Sequence, residues 1–256
     1  MALRVIASTG AEAGHVLQGG LVRSAERAVR IVETLATDGP LTLTELQRAL
    51  GVPRPRLRAL VRTLCELQWI ELSPGGGYGV GPRALLAGIS YLDQNPVLPP
   101  VHETLDALRQ ELGYTVHFGR LDGGHVLYLA SSAAPASGQV TSLAGRRLPA
   151  TRTAIGQALL AELPAAEIER LAPGLDPALR EELVRVRARS WAFERDQAIP
   201  GVACVATVVP HVVPATEALC CCLPGAEASD DTVTGVVEAI VRHGRKLAAA
   251  LRREAR

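Results

Sequence analysis

Apolar residues first fall into helical spacing at Ala28, Ile31, Val32 and Leu35, at positions i, i+3, i+4 and i+7. The pattern predicts a helix that starts at Ser24, a good N-cap residue, and stops at Asp38-Gly39-Pro40. A second helix opens on Thr42-Leu43-Thr44-Glu45, where Thr42 and Glu45 can satisfy each other's orphan donors as a capping box. Its apolar positions are Leu43, Leu46 and Leu50, and Gly51 is placed to end it in a left-handed conformation. A third helix follows at once, with Pro55 in its first turn and Leu57, Leu60, Val61 and Leu64 as the buried stripe. Trp69–Leu72 and Tyr78–Val80, separated by Ser73-Pro74-Gly75-Gly76-Gly77, predict a β-hairpin. Three helices and a hairpin, with a tight turn between helices two and three, describe a winged helix-turn-helix.

Beyond the hairpin, residues 82–93 predict a connecting helix that ends at Asn95-Pro96 and Pro99-Pro100. Strands are expected at Thr115–Arg120, His125–Ser131, Val202–Val209 and Ala218–Leu223, and helices at Val101–Glu111, Ala154–Leu163, Pro177–Ala188 and Thr232–Arg253. These lack a strict βαβ rhythm, so the fold class is α+β with a mainly antiparallel sheet flanked by helices. The chain therefore divides into a flexible tail (1–19), a winged helix-turn-helix (20–81), a linker helix (82–95) and a larger second domain (96–256).

Composition narrows the class. A chain of 256 residues, 48% hydrophobic and 21% charged, can bury the cores of two globular domains. It holds no apolar run of membrane-span length and no signal-peptide pattern, so the expectation is a cytoplasmic protein. The five cysteines (Cys65, Cys204 and Cys220-Cys221-Cys222) form no disulfide framework. Net charge is only +1, so any nucleic-acid role rests on local charge.

That local charge lies on the third helix. Residues 53–64 contain four arginines and no acid. At about 100° per residue, Arg54, Arg58 and Arg62 fall within about 80° of one another, away from the leucine stripe, while Arg56 lies on the far flank. An arginine fork can pair with guanine O6 and N7 or neutralise a phosphate, and the helix N-terminus adds backbone donors. Arg54, Pro55, Arg56, Arg58 and Arg62 are accordingly the candidate DNA-binding residues.

The order and spacing of short motifs resemble the IclR family of transcription factors. They include Leu43-Thr44-Glu45-Leu46, Gly51-Val52-Pro53-Arg54, Tyr78-Gly79-Val80-Gly81, Leu121-Asp122-Gly123-Gly124, Gly145–Ala150, Ala154–Ala161 and Pro200–Ala206. The resemblance implies a homodimer or dimer of dimers on a pseudo-palindromic double-stranded operator, with a GAF-like C-terminal domain that binds a small metabolite. Carried over position by position, it implies effector contacts at Thr153, Ala154, Ile155, Glu194, Val202, Cys204, Cys220 and Cys222. Spacing agrees, since Val202 and Cys204, like Cys220 and Cys222, are two apart and share a strand face. The same residues also suit a packed sheet core, where cysteine is common.

The chain departs from the family pattern at Pro55, Arg56 and Ala59 on the third helix, at Thr151, Arg152 and Gln157, and at Cys220 and Cys222, where serines are usual. Three rival functions remain. An enzyme would need a nucleophile elbow, a phosphate loop or an HExxH helix, and none occurs; the six histidines are scattered. A thiol-based metal or redox sensor could use Cys204 with Cys220–Cys222, although Cys221 should point away from its neighbours. A domain serving only for assembly could use the stripe Val233, Val236, Val237 and Ile240. No cofactor or metal is expected. Exchanging two serine hydroxyls for thiols removes about 1 kcal/mol per hydrogen bond from a small polar ligand. Calorimetry is therefore expected to find aromatic or aliphatic ligands binding in preference to glyoxylate and pyruvate. Tight binding of those two oxo acids alone contradicts this expectation.

Overall fold

The computed structural model describes residues 22–134 and 142–254. The N-terminal tail expected over 1–19 lies outside the described residues. The chain forms two compact units that meet at Gln94 and Asn95.

The first unit contains α1 (Arg23–Asp38), α2 (Leu43–Leu50), α3 (Arg54–Glu66), the hairpin β1 (Ile70–Leu72) and β2 (Tyr78–Val80), and α4 (Pro82–Asp93). The capping box on α2 is complete: Thr42 Oγ1 accepts from the Glu45 N–H, and Glu45 accepts from the Thr42 N–H at 2.7 Å. Gly51 ends α2 at φ 64°, a left-handed geometry in which a side chain would be strained. Only two residues separate it from α3, which fixes the tight bend. The N-cap of α1 lies two residues earlier than its sequence signal at Ser24. Val22 occupies the N-cap position without a side-chain bond, and Ser24 lies inside the first turn. Ile31, Leu35, Leu46, Val52, Leu57, Val61, Leu64 and Ile70 form one buried cluster. The wing is anchored to the helices by Leu41, which exchanges backbone hydrogen bonds of 2.9 and 2.7 Å with Tyr78.

The second unit begins with α5 (Leu98–Leu112). Pro99 and Pro100 start this helix rather than ending the previous one, because first-turn residues need no intrahelical N–H donor. Then come β3 (Thr115–Asp122), β4 (His125–Ser132), β5 (Arg147–Pro149), α6 (Ala154–Glu162), α7 (Ala165–Leu171), α8 (Pro177–Arg189), β6 (Ala192–Arg195), β7 (Val202–Val208), β8 (Glu217–Pro224) and α9 (Asp230–Glu254). The six strands make one antiparallel sheet in the order β5-β4-β3-β8-β7-β6. Helices α5 and α9 cover one face, against Val116, Phe118, Val205, Leu219 and Cys221. Helix α6, backed by α8, covers the other, against Tyr128, Val202, Cys204, Cys220 and Cys222. Every residue of α6 from Ala154 to Ala161 is buried, so its amphipathic signal is weak. Between Phe118 and Gly119 the β3–β4 register shifts, and Leu129 is the extra residue of a bulge.

Helix α6 packs tightly on the short turn that precedes it. A Cβ at Gly156 would lie 2.1 Å from the Ala150 carbonyl oxygen and 2.4 Å from its Cα, both backbone atoms that cannot step aside. Gly156→Ala is therefore expected to destabilise the full chain by roughly 2 kcal/mol or more in urea unfolding. A loss near zero would contradict this packing.

Candidate DNA-reading helix and effector site

Burial of Leu57, Val61 and Leu64 sets the rotation of α3 about its axis. The opposite face is solvent-exposed, and Arg54, Pro55, Arg56, Arg58 and Arg62 all lie on it. Among the described residues Arg62 has one ion pair, 4.0 Å to Glu66 of the next turn, with both side chains at least 70% exposed. Such a pair contributes little and yields readily to a stronger anion. No protein carboxylate among the described residues pairs with Arg54, Arg56 or Arg58. Arg56 opens instead on a groove between α1 and α3, floored by Ala59, Leu60 and Thr63 and flanked by Arg23 and Arg27. The α1 arginines extend the basic surface that the sequence showed only on α3. Arg23 and Arg27 are four apart and share a face of α1, but their adjacency to Arg56 depends on how the helices cross.

In the second unit, the α6 face of the sheet gathers the effector candidates. Thr153, Ala154, Ile155, Glu194, Val202, Cys204, Cys220 and Cys222 are all buried. Thr153 is the N-cap of α6, and its Oγ1 accepts from the Gly156 N–H at 3.1 Å. The N–H groups of Ala154 and Ile155, next in the first turn, have no intrahelical acceptor. Glu194, Cys204 and Cys222 lie side by side across β6, β7 and β8. The Sγ atoms of Cys204 and Cys222 are 2.8 Å apart, and those of Cys220 and Cys222 are 3.5 Å apart. Cys221 lies on the opposite face with α5 and α9, as strand alternation requires.

Burial pushes the Cys221 thiol up to about 12. Hydrogen bonds within the Cys204–Cys220–Cys222 cluster act in both directions on those thiols, and burial and mutual charge hold them well above the ordinary range. Protonated thiols are poor nucleophiles and poor metal ligands. Burial also raises Glu194, outweighing the lowering effect of the hydrogen bond that its Oε2 accepts from the Gln197 N–H. The bond from Gln197 is 3.0 Å long, and the Gln197 side chain accepts from Gln157 Nε2 at 3.0 Å. Gln157, standing at a departure from the family pattern, thus links α6 to the β6 end of the site.

Two buried side-chain atoms among the described residues have no hydrogen-bond partner: Glu194 Oε1 and His117 Nε2. His117 lies on β3, directly across from Cys220, and so shares the α6 face. Its Nδ1 is 2.7 Å from Ser131 Oγ, and Tyr128 packs edge-on at 5.5 Å between ring centres. No sequence motif marked this histidine as part of a site. Strand periodicity put it on β3, but only the pairing with β8 puts it beside the cysteines.

The fold is that of a transcriptional regulator with a helix-turn-helix DNA-binding domain and a separate C-terminal ligand-binding domain. The sequence matches the IclR helix-turn-helix domain over residues 24–74 and the bacterial transcriptional regulator IclR C-terminal domain over residues 89–248. The chain belongs to the IclR family. It is 28% identical over 205 residues to the HTH-type transcriptional regulator XynR of Escherichia coli (strain K12), covering 74% of this chain and 81% of that one. An IclR transcriptional regulator from Alicyclobacillus acidocaldarius has the same fold, with a TM-score of 0.76 at 22% identity, covering 90% of this chain and 99% of that one. So does an IclR homologue from Microbacterium hydrocarbonoxydans solved in complex with 4-hydroxybenzoate, at a TM-score of 0.67 and 20% identity, covering 88% of this chain and 99% of that one. The relatives are regulators rather than enzymes. No helix among the described residues is long and apolar enough to cross a membrane.

Desolvation lowers His117 from 6.5 to about 4. A buried imidazole that resists protonation stabilises the fold fully above its unfolded pKa of 6.5, and that contribution is lost as pH falls toward about 4. The raised Glu194 works in the opposite direction over the acidic part of the same window, so the test compares variants rather than pH values alone. Between pH 7 and pH 5, His117→Asn is expected to lose roughly 2 kcal/mol less stability than wild type in urea unfolding. Equal losses would show that His117 does not titrate in this way.

Proposed function

We propose that the protein binds a pseudo-palindromic operator as a homodimer or dimer of dimers, with α3 in the major groove, and that a small metabolite on the α6 face of the second domain controls the affinity. The observation that carries the DNA-reading role is the exposed arginine face of α3, held in place by its own buried leucines. Arg54, Arg58 and Arg62, with Pro55 at the helix start, face the bases. Arg56 and the α1 arginines beside it suit the phosphates that flank the groove. Helix α4 carries an exposed apolar stripe of Leu85, Leu86, Ile89 and Leu92, suited to pairing with a second copy.

The effector role draws support from the two unpartnered side-chain atoms on the α6 face and from the first turn of α6, whose N–H groups have no intrahelical acceptor. That the Microbacterium neighbour holds 4-hydroxybenzoate supports small-molecule control in the same family. Thr153, Ala154, Ile155, Glu194, Val202, Cys204, Cys220 and Cys222 form the effector site in this reading, within a GAF-like domain. The thiol-sensor alternative is weaker, because the cysteines are buried and held protonated.

Operator fragments selected from genomic DNA provide the test. Arg54→Ala, Arg58→Ala and Arg62→Ala are each expected to weaken operator binding in fluorescence anisotropy by about 1–3 kcal/mol and to relax sequence preference. Arg56→Ala is expected to weaken all sequences alike and to reduce the salt slope by about one. Unchanged operator affinity in the three base-facing variants would overturn the assignment of α3.

A further inference from the structure

We propose that His117 is a specificity-determining residue of the effector site, and that with Glu194 it selects a ligand carrying a hydrogen-bonding group at each end of an apolar body. This rests on the reading of the α6 face as the effector site.

An unsatisfied polar atom in a protein interior costs free energy and calls for a reason. Both such side-chain atoms among the described residues lie on one face of one sheet, the face that carries the effector candidates. His117 is fully buried, and Glu194 is 1% exposed. Each has one polar atom engaged by the protein and one left over. His117 Nδ1 is held by Ser131, while Glu194 Oε2 accepts from Gln197. Those engagements orient both side chains, which is how a binding site is kept rigid without its ligand.

The placement of the two residues sets the ligand's length. His117 is on β3 and Glu194 on β6, with β8 and β7 between them. Three strand spacings come to roughly 14 Å, backbone to backbone. Two side chains reaching inward shorten that gap but leave more than a two- or three-carbon oxo acid can bridge. The surface between them consists of thiols from Cys204, Cys220 and Cys222, which are weak hydrogen-bonding groups and pack well against apolar or aromatic matter. Tyr128, set against His117, adds an aromatic wall. A hydroxylated aromatic carboxylic acid has the required chemistry, polar at both ends and flat and apolar between.

Calorimetry on the full-length protein with 4-hydroxybenzoate, benzoate, phenol, pyruvate and glyoxylate tests this, using two substitutions. His117→Asn keeps an atom facing Ser131 but deletes the position of Nε2, and His117→Gln restores a polar atom near it. The expected result is saturable binding of 4-hydroxybenzoate, weakened about fivefold or more by His117→Asn, a loss on the order of 1 kcal/mol. Gln should recover part of the loss. Benzoate or phenol, whichever leaves the His117 end unfilled, should be insensitive to both substitutions. Thermal melts of the variants establish that they are folded. Undiminished 4-hydroxybenzoate binding by a folded His117→Asn would overturn the role of His117 while leaving the effector site standing. Pyruvate or glyoxylate binding as tightly as 4-hydroxybenzoate would overturn the two-ended ligand class. Binding by none of the five would overturn the proposal and count against the α6 face as the effector site.

Discussion

Everything in the DNA-binding unit depends on one packing contact: Leu57, Val61 and Leu64 of α3 against Ile31, Leu35 and Leu46 of the helices beside it. Each such side chain contributes roughly 2 kcal/mol by burial, and together they settle which way α3 is rotated. With that rotation fixed, residues at spacings of four must emerge on the solvent side, and in this chain those residues are arginines. A near-neutral protein thereby presents a strongly basic edge. The capping box at Thr42 and the left-handed Gly51 contribute by holding the bend that sets α3 against α2.

A comparable constraint orders the second unit, where strand alternation sorts side chains between two helical layers. On β8 it sends Cys220 and Cys222 toward α6 and Cys221 toward α5 and α9. On β3 the same alternation puts His117 on the α6 side and Phe118 on the other. The result is a sheet face on which three thiols lie between His117 and Glu194. Burial favours neutral forms of all these groups.

How much of this the sequence showed followed the length of each signal. Helices α1, α2 and α3 and the long strands β3, β4, β7 and β8 have enough residues for their period to be read, and the caps at Thr42 and Gly51 are local chemistry. The three-residue β5, the four-residue β6 and the seven-residue α7 were missed because a period needs more residues than they contain. Pro99 and Pro100 read in the sequence as the end of a helix but begin one; proline marks a boundary without saying on which side the helix lies. The arginine face of α3 was legible because it is local to one helix. His117 was not, because its significance arises from pairing with a strand about a hundred residues away. An isolated glycine within β3, Gly119, was the one available sign that the register breaks there.

The central claim is that α3 enters the major groove with its arginines toward the bases. Dimethyl sulfate probing of the bound operator tests it directly, because guanine is methylated at N7 in the major groove and adenine at N3 in the minor groove. The account predicts protection of guanine N7 at symmetry-related positions in the two half-sites, with that protection lost when the arginines of α3 are removed. Guanine N7 left fully reactive while adenine N3 is protected would place the protein in the other groove and contradict it.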